Sequence, residues 1–422
     1  MRKLVTLVIT LLGLALTARA DVTAIRFGKL IDGRGGVISD AVVVVDGERI
    51  VSVGSGDAAV PAKARVIDLR RYTGLPGLID VHTHMTFYWD RAPGTRPWSQ
   101  LGTLHDAVTL FLAQENARKT LEAGVTTVRD LGSWNYVDVA MRDLINRGAM
   151  TGPRMYVAGF GLHVSNAASR MWAREPDPGK ADGVAEVQRV AREQIAAGVD
   201  CIKMYGSTGS DQDVTGFQTF SFEEMKAAVD VAHRAGKRIA IHSYGPDGAR
   251  DAVRAGADSV EHATDMDDAT ISEMVKRGTV YVPTVDHNRY YAAHKDEFGY
   301  DEAVVKRLND YIARNFETLR RAVKAGAKIA MGSDAVFTGF GENTRELEWF
   351  VKAGMTPVQA LAAATTNGAS LLGMPKDLGA VAPGYYADII SVEGDPLADI
   401  GAVIKGVHWV MKGGKVVVST TP

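Results

Sequence analysis

Hydrophobic positions along the chain change period twice. From Val22 to about Tyr72 they form short β-type runs separated by turn residues. Residues 41–45 and 49–53 flank Asp46 and Gly47, a dipeptide that favours positive φ and therefore predicts a hairpin. The same texture returns near the other end, in residues 387–392, 407–411 and 416–418. Between these ends an amphipathic helix, a glycine and a β-rich run recur as a unit. The glycines are Gly124, Gly198, Gly236, Gly256, Gly278 and Gly326, and basic residues often precede them. A glycine there suits the left-handed residue that stops a helix, and cations suit the helix C-terminus. Repeated βα units with near-continuous apolar strands predict a parallel sheet. Adding runs at Leu78 and at residues 155–158 gives eight strands, which favours an α/β (β/α)8 TIM barrel over an open sheet. The expected organisation is a barrel over residues 75–375, with residues 21–74 and 376–422 pairing into a small composite β-sandwich.

Composition changes this picture little. The chain has 422 residues, 46% hydrophobic and 23% charged, enough for a large core. Its formal charge is −2 and no basic stripe stands out, so no nucleic-acid partner is expected. The first twenty residues do add something. Arg2 and Lys3 precede an apolar stretch from Leu4 to Leu16, and Ala18-Arg19-Ala20 has the small-x-small form of a cleavage site. This predicts a signal peptide over residues 1–20, export to the periplasm or medium, and no stable membrane anchor after cleavage. Cys201 is the only cysteine, so no intrachain disulfide can form, and it reads as a small core residue.

Candidate chemistry sits at the ends of the predicted strands. His82 and His84 lie one residue apart, so on a strand they leave the same face and can grip one metal ion. Lys203 follows Gly198 by five residues, His242 and His262 follow Gly236 and Gly256 by six, and Asp334 follows Gly326 by eight. Each interval is about one strand, which gathers these side chains at the C-terminal mouth of a barrel, where the catalytic residues of that fold lie.

The residues that carry this pattern resemble the metal-dependent amidohydrolase superfamily. They are Gly77-Leu78-Ile79-Asp80-Val81-His82-Thr83-His84, the His242 and His262 strands, Met331-Gly332-Ser333-Asp334 and the return Ala382-Pro383-Gly384-Tyr385-Tyr386-Ala387-Asp388. Within the superfamily the chain is most similar to the branch of Xaa-Pro dipeptidases and imidazolonepropionase-related enzymes, which includes secreted ochratoxin-type amidases. The resemblance implies two divalent ions, with His82, His84 and Asp334 on one, His242 and His262 on the other, and Lys203 carboxylated to a carbamate between them. Nitrogen and oxygen ligands without thiolate fit Zn2+ best, then Mn2+ or Co2+. Asp334 is expected to take a proton from the attacking water and deliver it to the leaving amine.

The loops bear on the substrate. His163, Tyr244 and His287 are carried over by resemblance as residues that hold the substrate carbonyl or carboxylate, with Tyr205 a weaker candidate. His287 is read as closing a strand over residues 281–285. Aromatic residues at positions 87–89, 172, 290–291 and 337–340 fall on the catalytic side and favour an apolar substrate group. Residues 206–219, rich in Gly, Ser, Asp and Thr, read as a lid that ends in a capping box from Ser221 to Glu224. The expected activity is cleavage of dipeptides or N-acyl amino acids with a free carboxylate, including ochratoxin A-type phenylalanine amides, by a homo-oligomer. The competing expectations are an imidazolonepropionase-like hydrolysis of a cyclic amide and a non-catalytic binding protein on the same scaffold.

Overall fold

A computed structural model describes residues 22–165 and 177–420. The predicted signal peptide and Trp172 lie outside the described residues. The chain begins with strands β1 (Thr23–Ile31), β2 (Val37–Asp46), β3 (Arg49–Ser55) and β4 (Arg65–Pro76). β2 and β3 form the predicted hairpin, closed by Gly47 and Glu48 between the paired Asp46 and Arg49. β4 runs on into β5 (Leu78–Thr83), the strand that carries both N-terminal histidines.

The barrel strands are β5, β6 (Val125–Asp130), β7 (Arg154–Val157), β8 (Cys201–Tyr205), β9 (Arg238–Ser243), β10 (Ser259–His262) and β11 (Val280–Val282). All their pairings are parallel. The eighth position is filled by an irregular run. Tyr281 donates to Lys328 O, Val81 to Met331 O and Asp334 to His82 O, so this run bridges β11 to β5. Between β7 and β8, Asp200 donates to Val157 O and Leu162 to Lys203 O, completing the ring. Gly124, Gly198, Gly236, Gly256, Gly278 and Gly326 all have φ between 69° and 94°, the helix-stopping conformation expected of them. Ser221 and Glu224 form the expected capping box. The run predicted as strand to residue 285 is shorter. β11 stops at Val282, Thr284 turns into the left-handed region at φ 46°, and a helix starts at Val285. His287 is therefore in the first turn of that helix.

After the barrel come β12 (Ile389–Val392), β13 (Val407–Lys412) and β14 (Lys415–Ser419). β12 pairs with β4, which joins both chain ends in one seven-stranded sheet of order β14-β13-β12-β4-β1-β2-β3. Side chains from both ends share its core, among them Phe27, Val43, Leu69, Ile389 and Trp409. The fold is a TIM barrel with a small β domain built from both termini. No described helix is long and apolar enough to cross a membrane.

Candidate metal centre

Four strand ends and one helix start converge at the mouth of the barrel. His82 and His84 end β5 side by side. The eighth run brings Asp334 against them, with Oδ1 3.2 Å from His84 Nε2 and 3.5 Å from His82 Nε2. Ligand atoms of these three residues all lie within 4.8 Å of one another. The motif around Asp334 explains how the run fits there. A Cβ on Gly332 would stand 2.8 Å from His82 Cβ and 2.4 Å from Val282 Cγ1, so only glycine allows the approach. Ser333 donates its N–H and Oγ–H to Asp80, and Asp334 takes a left-handed φ of 53° that turns its carboxylate inward.

His242 from β9 and His262 from β10 pack ring to ring at 4.5 Å, and His262 lies 5.0 Å from His82. His262 also has positive φ, 70°, so it swings into the mouth beside Glu261 instead of alternating away from it. Non-glycine residues in this region cost roughly 1–2 kcal/mol each, strain concentrated where the side chains must converge. Lys203 from β8 is 1% exposed. Its Nζ, together with Nε2 of His82 and of His242, is buried without a hydrogen-bond partner among the described residues. Orphaned nitrogens at such depth need an explanation, and neutral imidazoles and a buried amine gathered in one space become a donor set that divalent ions satisfy once the amine gives up its proton. Burial pushes His82, His242 and His262 well below their ordinary value, reinforced at each by Lys203. Burial also brings Lys203 down to about 8, against the opposing pull of Glu261 and Asp334.

The remaining nitrogens of the histidines are fixed from outside the cluster. His82 Nδ1 meets Glu261 Oε2 at 2.8 Å, His84 Nδ1 meets Gly132 O at 3.2 Å, and His262 Nδ1 meets Thr284 Oγ1 at 2.7 Å. Each contact leaves Nε2 for a ligand role. Glu261 is fully buried and is held in turn by Ser259 and by Arg129, whose Nη2 donates to Glu261 Oε1 at 2.9 Å. The sequence reading did not single out Glu261, Arg129 or Asp80. The usable signal was the i, i+2 pair of polar residues Ser259 and Glu261 on one face of an apolar strand.

His287 Nε2 lies 3.1 Å from Asp334 Oδ2, and burial lowers its basicity. For Asp334, burial acts upward, but His287, His84 and Lys203 outweigh it and hold the carboxyl below its ordinary value. Tyr244 stacks on His242 at 5.1 Å and on Tyr311 at 4.6 Å, with its hydroxyl 3.5 Å from Asn288 Nδ2. Tyr205 lies 5.4 Å from His242. His163 is buried with both ring nitrogens engaged, Nδ1 with Gly161 O and Nε2 with Asp177 Oδ2 at 2.9 Å. A substrate contact there would have to displace Asp177. The aromatic loops do gather on the catalytic side, where Phe87, Trp134, Tyr290, Tyr291 and Phe337 share one cluster with Phe298.

Residues 73–417 match the sequence profile of the Amidohydrolase family. The chain belongs to this family. This amidohydrolase is 32% identical to the ochratoxinase of Aspergillus niger over 435 aligned positions, covering 95% of this chain and 88% of the relative. It is 27% identical to the imidazolonepropionase of Streptomyces coelicolor, covering 84% of this chain and 85% of the relative. Among solved structures, a Xaa-Pro dipeptidase with bound methionine in the active site matches with a TM-score of 0.85 at 32% identity, over 94% of this amidohydrolase and 100% of that chain. The protein is thus a hydrolytic enzyme that acts on amide bonds.

Proposed function

We propose that this amidohydrolase is binuclear and cleaves the amide bond of dipeptides or N-acyl amino acids with a free carboxylate, ochratoxin A-type phenylalanine amides included. The observation that carries the two-ion reading is the buried, unpartnered Nζ of Lys203 beside the unpartnered Nε2 atoms of His82 and His242. His82, His84 and Asp334 would hold one ion and His242 and His262 the other, with Lys203 shared as its carbamate. The absence of thiolate among these ligands favours Zn2+. When bound, divalent ions make a water acidic near neutral pH and polarise a carbonyl.

The chain's own groups supply the rest. Asp334 would receive the proton of the attacking water and hand it to the departing amine nitrogen, and His287 Nε2, 3.1 Å from its Oδ2, would steady the charge. The Tyr244 hydroxyl stays protonated, because burial raises its value far above neutrality, and it can donate to the substrate carbonyl or carboxylate. The aromatic cluster offers an apolar wall for an acyl group or side chain. Export by a cleaved peptide over residues 1–20 and assembly as a homo-oligomer complete the proposal, the first resting on the charged and apolar pattern of those residues.

The resemblance to imidazolonepropionase favours a second reading, hydrolysis of a cyclic amide. Lys203 argues against it, because a single-ion site has no use for a bridging ligand. Metal-loaded protein assayed against dipeptides, N-acyl amino acids and cyclic amides separates the two. Release of free amino acids from the linear panel is the expected result, and turnover of cyclic amides alone would overturn it.

A further inference from the structure

The loop from residue 206 to 219 carries a carboxyl group that the proposed chemistry does not use. The loop is a narrow hairpin: Thr208 donates to Phe217 O at 2.7 Å, and Ser210 and Asp213 exchange backbone hydrogen bonds at 2.8 and 3.0 Å. Asp211 sits at its tip with φ 59°. An aspartate at such a tip ordinarily faces water. Here the hairpin is folded down over the mouth of the barrel. Gly209 lies directly on Tyr244, where an added Cβ would meet the ring at 2.4 Å, and Val214 packs against the aromatic cluster.

Asp211 is consequently half-buried beside the aromatic wall instead of fully exposed. Its Oδ1 is shielded from solvent, its nearest donor is the neutral Trp98 indole, and no cation pairs with it among the described residues. Burial pushes its carboxyl up to about 7, opposed by hydrogen bonds from the Trp98 side chain and the Gln212 backbone. Its charge is felt at Tyr244 and Tyr291. From Asp211 the wall is continuous to the catalytic end: Trp98 packs edge-on against Phe337 at 4.9 Å and lies 6.4 Å from Tyr291, which meets His287 at 4.6 Å. A shielded carboxyl oxygen that has aromatic neighbours and no cation of its own is an arrangement that suits a cation, which gains a charged hydrogen bond and nearby rings together.

We propose that Asp211 is a specificity residue that binds a cationic nitrogen of the substrate, either the α-ammonium of a dipeptide or the side chain of a lysine or arginine residue. This rests on the amide-substrate reading above and narrows it, since an N-acyl amino acid with an uncharged side chain offers no such group.

The test uses the metal-loaded full chain with three matched amides: Ala-Phe, its des-amino counterpart N-propionyl-Phe, and N-propionyl-Lys. Wild-type enzyme should favour at least one cationic substrate over N-propionyl-Phe by roughly tenfold to a hundredfold in kcat/KM, mainly through KM. Asp211→Asn should reduce that ratio to within about twofold. Calorimetric titration with uncleavable ketomethylene isosteres of the same three compounds gives a readout independent of turnover and should show the same preference and its loss. Equal treatment of all three by wild type, or a preference that survives in Asp211→Asn, overturns the assignment. If no amide is cleaved while the isosteres still bind with an Asp211-dependent preference, the substrate reading fails and the role of Asp211 stands.

Discussion

His82 Nδ1 and Glu261 Oε2 lie 2.8 Å apart, both fully buried, so the ring donates to the carboxylate and keeps Nε2 deprotonated toward Asp334. Glu261 is in turn anchored by Arg129 and Ser259 inside the barrel. Carboxylates that orient ligand histidines are worth about 10–100-fold in metal affinity. Glu261→Gln should therefore weaken metal binding by about that factor, read by competition with a chelating dye. Unchanged affinity would mean that Glu261 serves only to pair Arg129.

Lys203 separates a two-ion site from a buried core lysine. Lys203→Met keeps the length and removes the amine. If Lys203 only filled space, the variant would be as active and somewhat more stable, since an unpartnered buried amine is costly. The two-ion account expects lost activity and a lower metal content with thermal stability retained.

Tyr244 is packed on His242 and His262, so its ring holds the wall while its hydroxyl accepts from Asn288 Nδ2 at 3.5 Å. Tyr244→Phe keeps the stacking. It should lower kcat/KM by roughly tenfold to a hundredfold, the worth of a hydrogen bond to a charged or developing oxyanion, with little change in Tm. Unaltered kinetics would remove the hydroxyl from the substrate contacts.

Much of this arrangement was legible in the sequence because it is written in local signals. Helix-stopping glycines mark each βα unit, and side chains one strand-length beyond them must reach the same rim. The buried contacts were not legible, because they join residues far apart through unlike elements. Arg129 and Glu261 are on β6 and β10, and nothing local to either predicts the pair. Strand alternation also misleads at β10: Glu261 and His262 should face opposite ways, and the positive φ of His262 brings both to the centre. His287 does lie beside Asp334, but on a helix and not at a strand end, because an apolar run says nothing of the left-handed Thr284 that turns strand into helix.

That helix start depends on Glu346, which is fully buried and accepts from Val285 N at 2.8 Å and Asp286 N at 2.9 Å. Burial pushes its carboxyl from 4.5 up to about 8, opposed by the N–H bonds from Asp286 and Val285 and helped by the Asp286 charge. A carboxyl raised in the native state binds its proton more tightly when folded. Its stabilising contribution is present below about 4.5 and is lost as the pH climbs through about 8. Urea midpoints at about pH 5 and about pH 8.5 should thus fall more for wild type than for Glu346→Gln. Parallel losses in both proteins would contradict this assignment.

The most direct test of the whole account is the metal content of purified, active protein, measured before and after chelation alongside amide hydrolysis. The account predicts two divalent ions per chain, loss of hydrolysis when they are stripped, and recovery when they are returned. Full hydrolytic activity in folded, ion-free protein would contradict it.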